Sequence, residues 1–146
     1  MPPKPPPRPG TEKKDGEISD LERLHEFARR GDKEDIEQLV SKNRGLVNAK
    51  GNLGNTALHW AASGGHEECV EYLVKEGKAN VDAANDVGDT PLHLASWRGH
   101  VKSAKYLLEH KADKKHKNKD GKIPLDLARE PAMKNLLTEM SAGEST

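Results

Sequence analysis

The chain has one cysteine, Cys69, in 146 residues. A single cysteine excludes an intrachain disulfide framework and any multi-cysteine metal site. Aromatic residues make up 3% of the chain, with one Phe, two Trp and two Tyr. A large core built on aromatic side chains is therefore not expected. No apolar run approaches the ~18 residues that a membrane span needs. The N-terminus carries prolines where a secretory signal would carry an apolar region. Charge of either sign is not in excess, since 24 Lys and Arg balance 24 Asp and Glu. Nothing global draws such a chain to nucleic acid or to anionic lipid. The motifs G-x-x-x-x-G-K-[ST], G-x-G-x-x-G and H-E-x-x-H are all missing. The reading is a cytoplasmic, monomeric protein without catalytic, cofactor-binding or metal-binding residues, and without a nucleic-acid or membrane partner.

Repetition is what the chain does have. Gly88-Asp89-Thr90-Pro91-Leu92-His93-Leu94-Ala95-Ser96-Trp97-Arg98-Gly99-His100 repeats Gly54-Asn55-Thr56-Ala57-Leu58-His59-Trp60-Ala61-Ala62-Ser63-Gly64-Gly65-His66 at a shift of 34 positions. Thr90 is a natural N-cap, because its hydroxyl accepts from an orphan amide of the first turn. Pro91 suits the first helical position, where a missing N–H costs nothing. Gly99 stops the helix in a left-handed conformation. A second helix follows each first one: Asp35 to Ser41, Glu67 to Lys75 and Val101 to Glu109, anchored by Ile36-Leu39-Val40, Val70-Leu73-Val74 and Ala104-Leu107-Leu108. Gly77 is expected to close the second of these in a left-handed conformation. Asn43 stands at the matching place before it, and Lys111 after it at a small cost. Turn segments rich in Asn, Asp and Lys, each ending in Gly, read as hairpin-like arms between helix pairs.

The units at the ends are degenerate. Leu24 to Asp32 aligns with Leu58 to His66, but Ser19-Asp20 replace the Thr-Pro start. In the last unit Ile123 replaces the capping Thr, Asp126 replaces the His, and only Ala132 to Met140 remain for a closing helix with Met133, Leu136 and Leu137 inward. Terminal units of an array face water on one side, and such departures are expected there. The domain reading is a disordered Pro-rich tail at 1–20, a repeat domain at 21–140 and a disordered end at 141–146.

A period of 33 to 34 residues carrying a turn, two helices and T-P-L-H-x-A resembles the ankyrin-repeat family. The resemblance covers about Leu21 to Met140: two full repeats, a degenerate first and a truncated last. It implies an all-α ankyrin-repeat solenoid of about four helix-turn-helix repeats joined by hairpin-like turns. The Pro-rich start followed by these repeats is also similar to adaptors that join an SH3 domain to ankyrin repeats. Ten residues separate Gly10 from Leu21, too few for an SH3 domain, so no SH3-dependent role carries over.

Candidate sites follow from the letters that break the repetition. In a T-x-L-H unit the imidazole of His59 or His93 sits where it bonds the capping Thr, and no Cys or carboxylate recurs with it at zinc-ligand spacing. Cys69 reads as a small packing hydrophobe. Trp97 and Arg98 follow the buried Leu94-Ala95-Ser96 at the exposed end of a first helix, and both types are enriched at interface hot spots. In the ankyrin family that end and the turn tips line the concave surface that binds partners. Arg29 and Arg30 are the equivalents in the first unit. Leu53, Asn55, Asp86, Val87, Asp89, Lys119 and Lys122, with Asn52 and Asp120, extend the same face. The other reading of Trp97 is a cover over the junction with the next repeat, and Trp60 reads as core. The lysines from Lys111 to Lys122 read either as solvated turn tips or as a basic turn offered to an acidic partner.

In the tail, Pro3-Lys4-Pro5-Pro6-Pro7-Arg8 fits P-x-x-P-x-R. Pro3 and Pro6 fill aromatic grooves of an SH3 domain in one reading, while Arg8 meets its acidic wall; the other reading is a solvated tail. The function expected is a non-catalytic protein–protein adaptor or signalling scaffold, using the concave surface and the tail. The alternative is a regulatory subunit that binds and blocks one enzyme or signalling partner.

Overall fold

The computed structural model describes residues 19–144. Eight α-helices form four pairs: α1 (Asp20–Arg30) with α2 (Lys33–Lys42), α3 (Ala57–Gly64) with α4 (Glu67–Lys75), α5 (Pro91–Arg98) with α6 (Val101–Glu109), and α7 (Pro124–Leu127) with α8 (Pro131–Glu144). No strand occurs among the described residues. The odd-numbered helices stack α1 on α3 on α5 on α7, and the even-numbered ones α2 on α4 on α6 on α8. Two layers of helices thus enclose one narrow core, as the all-α repeat reading expects.

The core is aliphatic. Leu24, Leu58 and Leu92 are fully buried at equivalent places, with Ile36, Val40, Val70, Leu73, Ala104 and Leu107 from the outer layer. Each buried leucine contributes roughly 1.5–3 kcal/mol. Leu125, the fourth of the series, is 36% exposed, because among the described residues no further helix pair packs on α7. Met133 and Leu137 face inward and Leu136 is half-buried.

The helix starts are chemical. The Thr56 and Thr90 hydroxyls accept from the His59 and His93 amides at 3.4 Å. In return, the ring Nδ1 of each histidine accepts from the backbone N–H of its threonine, at 3.0 and 3.1 Å. This is a capping box with an imidazole in the place usual for Glu or Gln. Ser19 caps α1 by accepting from the Glu22 amide at 3.1 Å. At the fourth unit, the Asp126 carboxylate alone accepts from the Ile123 amide, at 3.0 Å, and α7 has only four residues.

The ends of the outer helices differ from the sequence expectation. Gly77 does not take a left-handed conformation; Lys78 does, with φ 58°. Gly77 is glycine for space. A Cβ there would stand 2.8 Å from the Leu73 carbonyl oxygen and 3.2 Å from Val47 Cγ2. Asn43 is extended, φ −148°, and its side chain accepts from the Gly45 amide instead. Lys111 is left-handed, φ 69°.

Three hairpins project between the pairs. Each is closed by one backbone bond, from Gly51 to Asn55, Asn85 to Asp89 and Asn118 to Lys122, all at 2.9 Å. They also bond to each other: the Asp86 amide donates to the Leu53 carbonyl at 2.9 Å, and the Lys119 amide to the Val87 carbonyl at 3.0 Å. Adjacent repeats are therefore joined along the hairpins as well as through the core.

Candidate protein-interaction surface

Trp97 is 46% exposed near the C-terminal end of α5. The Arg98 guanidinium carbon lies 4.8 Å from the centroid of its ring, within cation–π range. Both line an open cleft of about 460 Å³ together with Ser96, Gly99, Arg129 and Glu130. Ser96 fixes the floor, as its hydroxyl donates to the Pro124 carbonyl of the next repeat. Among the described residues neither Arg98 nor Arg129 has an ion-pair partner. The counterparts of Arg98 in the first unit behave differently. Arg29 Nε donates to Glu26 at 3.0 Å, and Arg30 lies 2.9 Å from the Asp32 carboxylate. Arg29 and Arg30 are thus satisfied by their own repeat.

The hairpin residues divide into two sets. Leu53 and Val87 are 72% and 57% exposed, and the Asp86 amide bonds to Leu53, so two apolar tips stand on neighbouring hairpins. Asn52, Asp86, Lys119, Asp120 and Lys122 are also exposed. Asn55 is buried, and its side-chain carbonyl accepts from Asn85 Nδ2 at 2.9 Å. The Asp89 carboxylate accepts from Asn118 Nδ2 at 2.9 Å. Asn55 and Asp89 thus tie one hairpin to the next. The tail residues Pro3, Pro6 and Arg8 lie outside the described residues.

The histidines are structural links. His59 Nε2 donates to the Asp89 carbonyl at 2.9 Å, and His93 Nε2 to the Lys122 carbonyl at 2.9 Å. With Nδ1 held by the caps, both nitrogens of each ring are engaged. Burial pushes the His59 pKa down to about 4 and lowers that of His93. His66 Nε2 donates back to the Arg29 carbonyl at 2.8 Å. Cys69 is buried, and its thiol pKa is pushed up to about 11 by burial, with Glu68 and Asp32 adding to the shift.

One feature was not legible in the sequence. Trp60 is only half-buried, at the margin of the core. It lines a second groove, of about 590 Å³, with Leu21, Glu22, His25, Glu26, Arg29, Gly51 and Asn52. His25 Nε2 and Trp60 Nε1 are buried there without a hydrogen-bond partner. Its counterpart one repeat later, Leu94, is half-buried too, against the buried place that the sequence assigns it.

No described helix is long and apolar enough to cross a membrane. A comparison with the curated proteins finds no match. The family described as ankyrin repeats, in three copies, matches residues 24–130. Ankyrin repeats mediate protein–protein interaction and are generally non-catalytic modules. By the matched span and by its helix pairs and hairpins alike, the chain belongs to the ankyrin-repeat family.

Proposed function

We propose that this chain is a non-catalytic adaptor that binds a protein partner through the cleft at Trp97 and Arg98. The observation that carries this is an unpaired arginine stacked on a half-exposed tryptophan, beside a second unpaired arginine, Arg129. The preceding repeat has Ser63 and Gly64 in those places, so folding does not require either side chain. Desolvated Trp and Arg contribute most to protein interfaces, at ~2 kcal/mol or more each. Leu53 and Val87 extend the contact along the hairpins. The Pro-rich tail, read by a polyproline-binding domain such as SH3, supplies a second contact, and the two together bridge two partners.

Affinity capture with the full chain tests this. The double variant Trp97→Ala, Arg98→Ala is expected to lose a captured partner by ~30-fold or more, with an unchanged melting temperature. Undiminished capture rejects the cleft. Several partners, some lost when Pro3, Pro6 and Arg8 are replaced, mark an adaptor. One stoichiometric partner, indifferent to the tail, marks the inhibitory subunit.

A further inference from the structure

The groove of α1, α3 and the first hairpin is separate from the Trp97 cleft. Three observations bear on its occupant. The first is position. The described chain begins at Ser19, and Leu21 and Glu22 already line the groove. The eighteen residues before Ser19 are therefore tethered at its rim. Residues 10–18 span up to ~30 Å when extended. The face of α1 from Leu21 to Arg29 is ~12 Å long. The connection is long enough for residues 2–9 to turn back over the groove.

The second is hydrogen-bonding capacity. Residues 2–9 contain six prolines, so only Lys4 and Arg8 carry a backbone N–H against eight carbonyls. Such a segment favours polyproline II and has acceptors in surplus. The groove has the opposite deficit. Trp60 Nε1, which only donates, lacks an acceptor. A backbone carbonyl is the kind of acceptor that the indole lacks.

The third is surface type. Trp60 and Leu21 offer apolar area to proline rings, and Glu22 and Glu26 place two carboxylates against the one cation of the lining, Arg29, which pairs with Glu26. The segment carries Lys4 and Arg8 and no acidic residue. An aromatic wall beside carboxylates is how polyproline segments with a basic residue are recognised.

We infer that residues 2–9 of this chain dock in the groove formed by Leu21, His25, Glu26, Gly51, Asn52 and Trp60. The docked tail covers the first half of the inner helical layer and hides P-x-x-P-x-R from other readers. Tethering gives an effective concentration of ~1 mM. A segment that binds with ~100 μM affinity when free is then about 90% closed, and an external partner for either surface opens it.

The test uses the full chain with a nitroxide on Pro2→Cys, since Cys69 is buried. The amide signals of Gly51 and Asn52 are expected to lose more than half their intensity, and those of Gly99 and Leu125 to keep theirs. The loss persists on tenfold dilution, as an intramolecular contact requires. Adding Arg8→Glu reduces it several-fold. Docking that binds only the folded repeats stabilises them by about 1.4 kcal/mol at that occupancy, so Arg8→Glu also lowers the melting temperature by a few degrees. Equal, weak broadening of all four signals overturns the proposal, as does a loss that vanishes on dilution or ignores Arg8→Glu. Capture through Trp97 and Arg98 is unaffected by that failure.

Discussion

His59 Nε2 donates to the backbone carbonyl of Asp89, 30 residues further along the chain, at 2.9 Å. The other nitrogen of the same ring accepts from the Thr56 amide. One imidazole thus caps its own helix and holds the hairpin of the next repeat. Only the neutral ring does both, because Nδ1 has to accept while Nε2 donates.

Acid should therefore loosen the array above the pH at which most carboxylates titrate. The His59 pKa lies at about 4 in the folded chain, against an ordinary value of 6.5. Between those values the unfolded chain binds a proton that the folded chain does not. Stability is complete above pH 6.5 and falls as pH drops toward 4, by about 3 kcal/mol in all for His59. His93 adds a loss of the same sign. Urea unfolding at pH 7 and pH 5 should show a fall of ~2 kcal/mol or more. In His59→Gln the slope should be visibly smaller. A free energy that is flat between pH 7 and 5 would contradict the linkage.

Thr90 is fully buried and bonds both the His93 amide and its ring. Thr90→Ala should cost about 1–2 kcal/mol in denaturant unfolding. Thr90→Ser, which keeps the hydroxyl, should recover more than half of that. Equal losses for the two variants would mean that packing of the methyl group, and not capping, accounts for the threonine.

Cys69 offers a kinetic check on the packing of α4. With its thiol pKa raised from 9.0 to about 11, the thiolate at pH 8 is about 100-fold scarcer than for an unperturbed thiol. Aromatic disulfide reagents should label it only as fast as the array opens, and at full speed in denaturant. Labelling of the native chain within seconds would show that α2 and α4 part far more readily than their buried Ile36, Val40 and Val70 imply.

Recurrence made the scaffold readable. Thr56 and Thr90, Leu58 and Leu92, and Gly65 and Gly99 each carry a local folding reason that repeats at one period, so each copy supports the other. The same logic says less wherever a residue's surroundings depend on a neighbour distant in sequence. Asp89 breaks the repetition and so looked available to a partner, yet it meets Asn118 in the next hairpin. Trp60 looked like core because Leu94 is its counterpart, yet α1 leaves its ring beside an open groove. Periodicity reports what every repeat must do, and it is silent on contacts between unlike repeats.

Gly77 and Lys78 give the sharpest form of that lesson. Sequence alone assigns the left-handed turn to the glycine, since glycine adopts it most cheaply. In the structure the lysine takes it, φ 58°, and the glycine fills a place where a Cβ meets the Leu73 carbonyl oxygen at 2.8 Å. The two roles predict opposite responses. Gly77→Ala should destabilise by ~1–3 kcal/mol, because backbone has to move to admit the methyl group. Lys78→Gly should stabilise slightly or be neutral, as relief of ~1 kcal/mol of left-handed strain offsets the added freedom of the unfolded chain. Were Gly77 the left-handed residue, Lys78→Gly would cost ~0.5–1 kcal/mol instead. Gly77→Ala is costly under either assignment, since Ala is strained in a left-handed turn as well; Lys78→Gly separates them in denaturant unfolding, and a clear loss there would reverse the assignment.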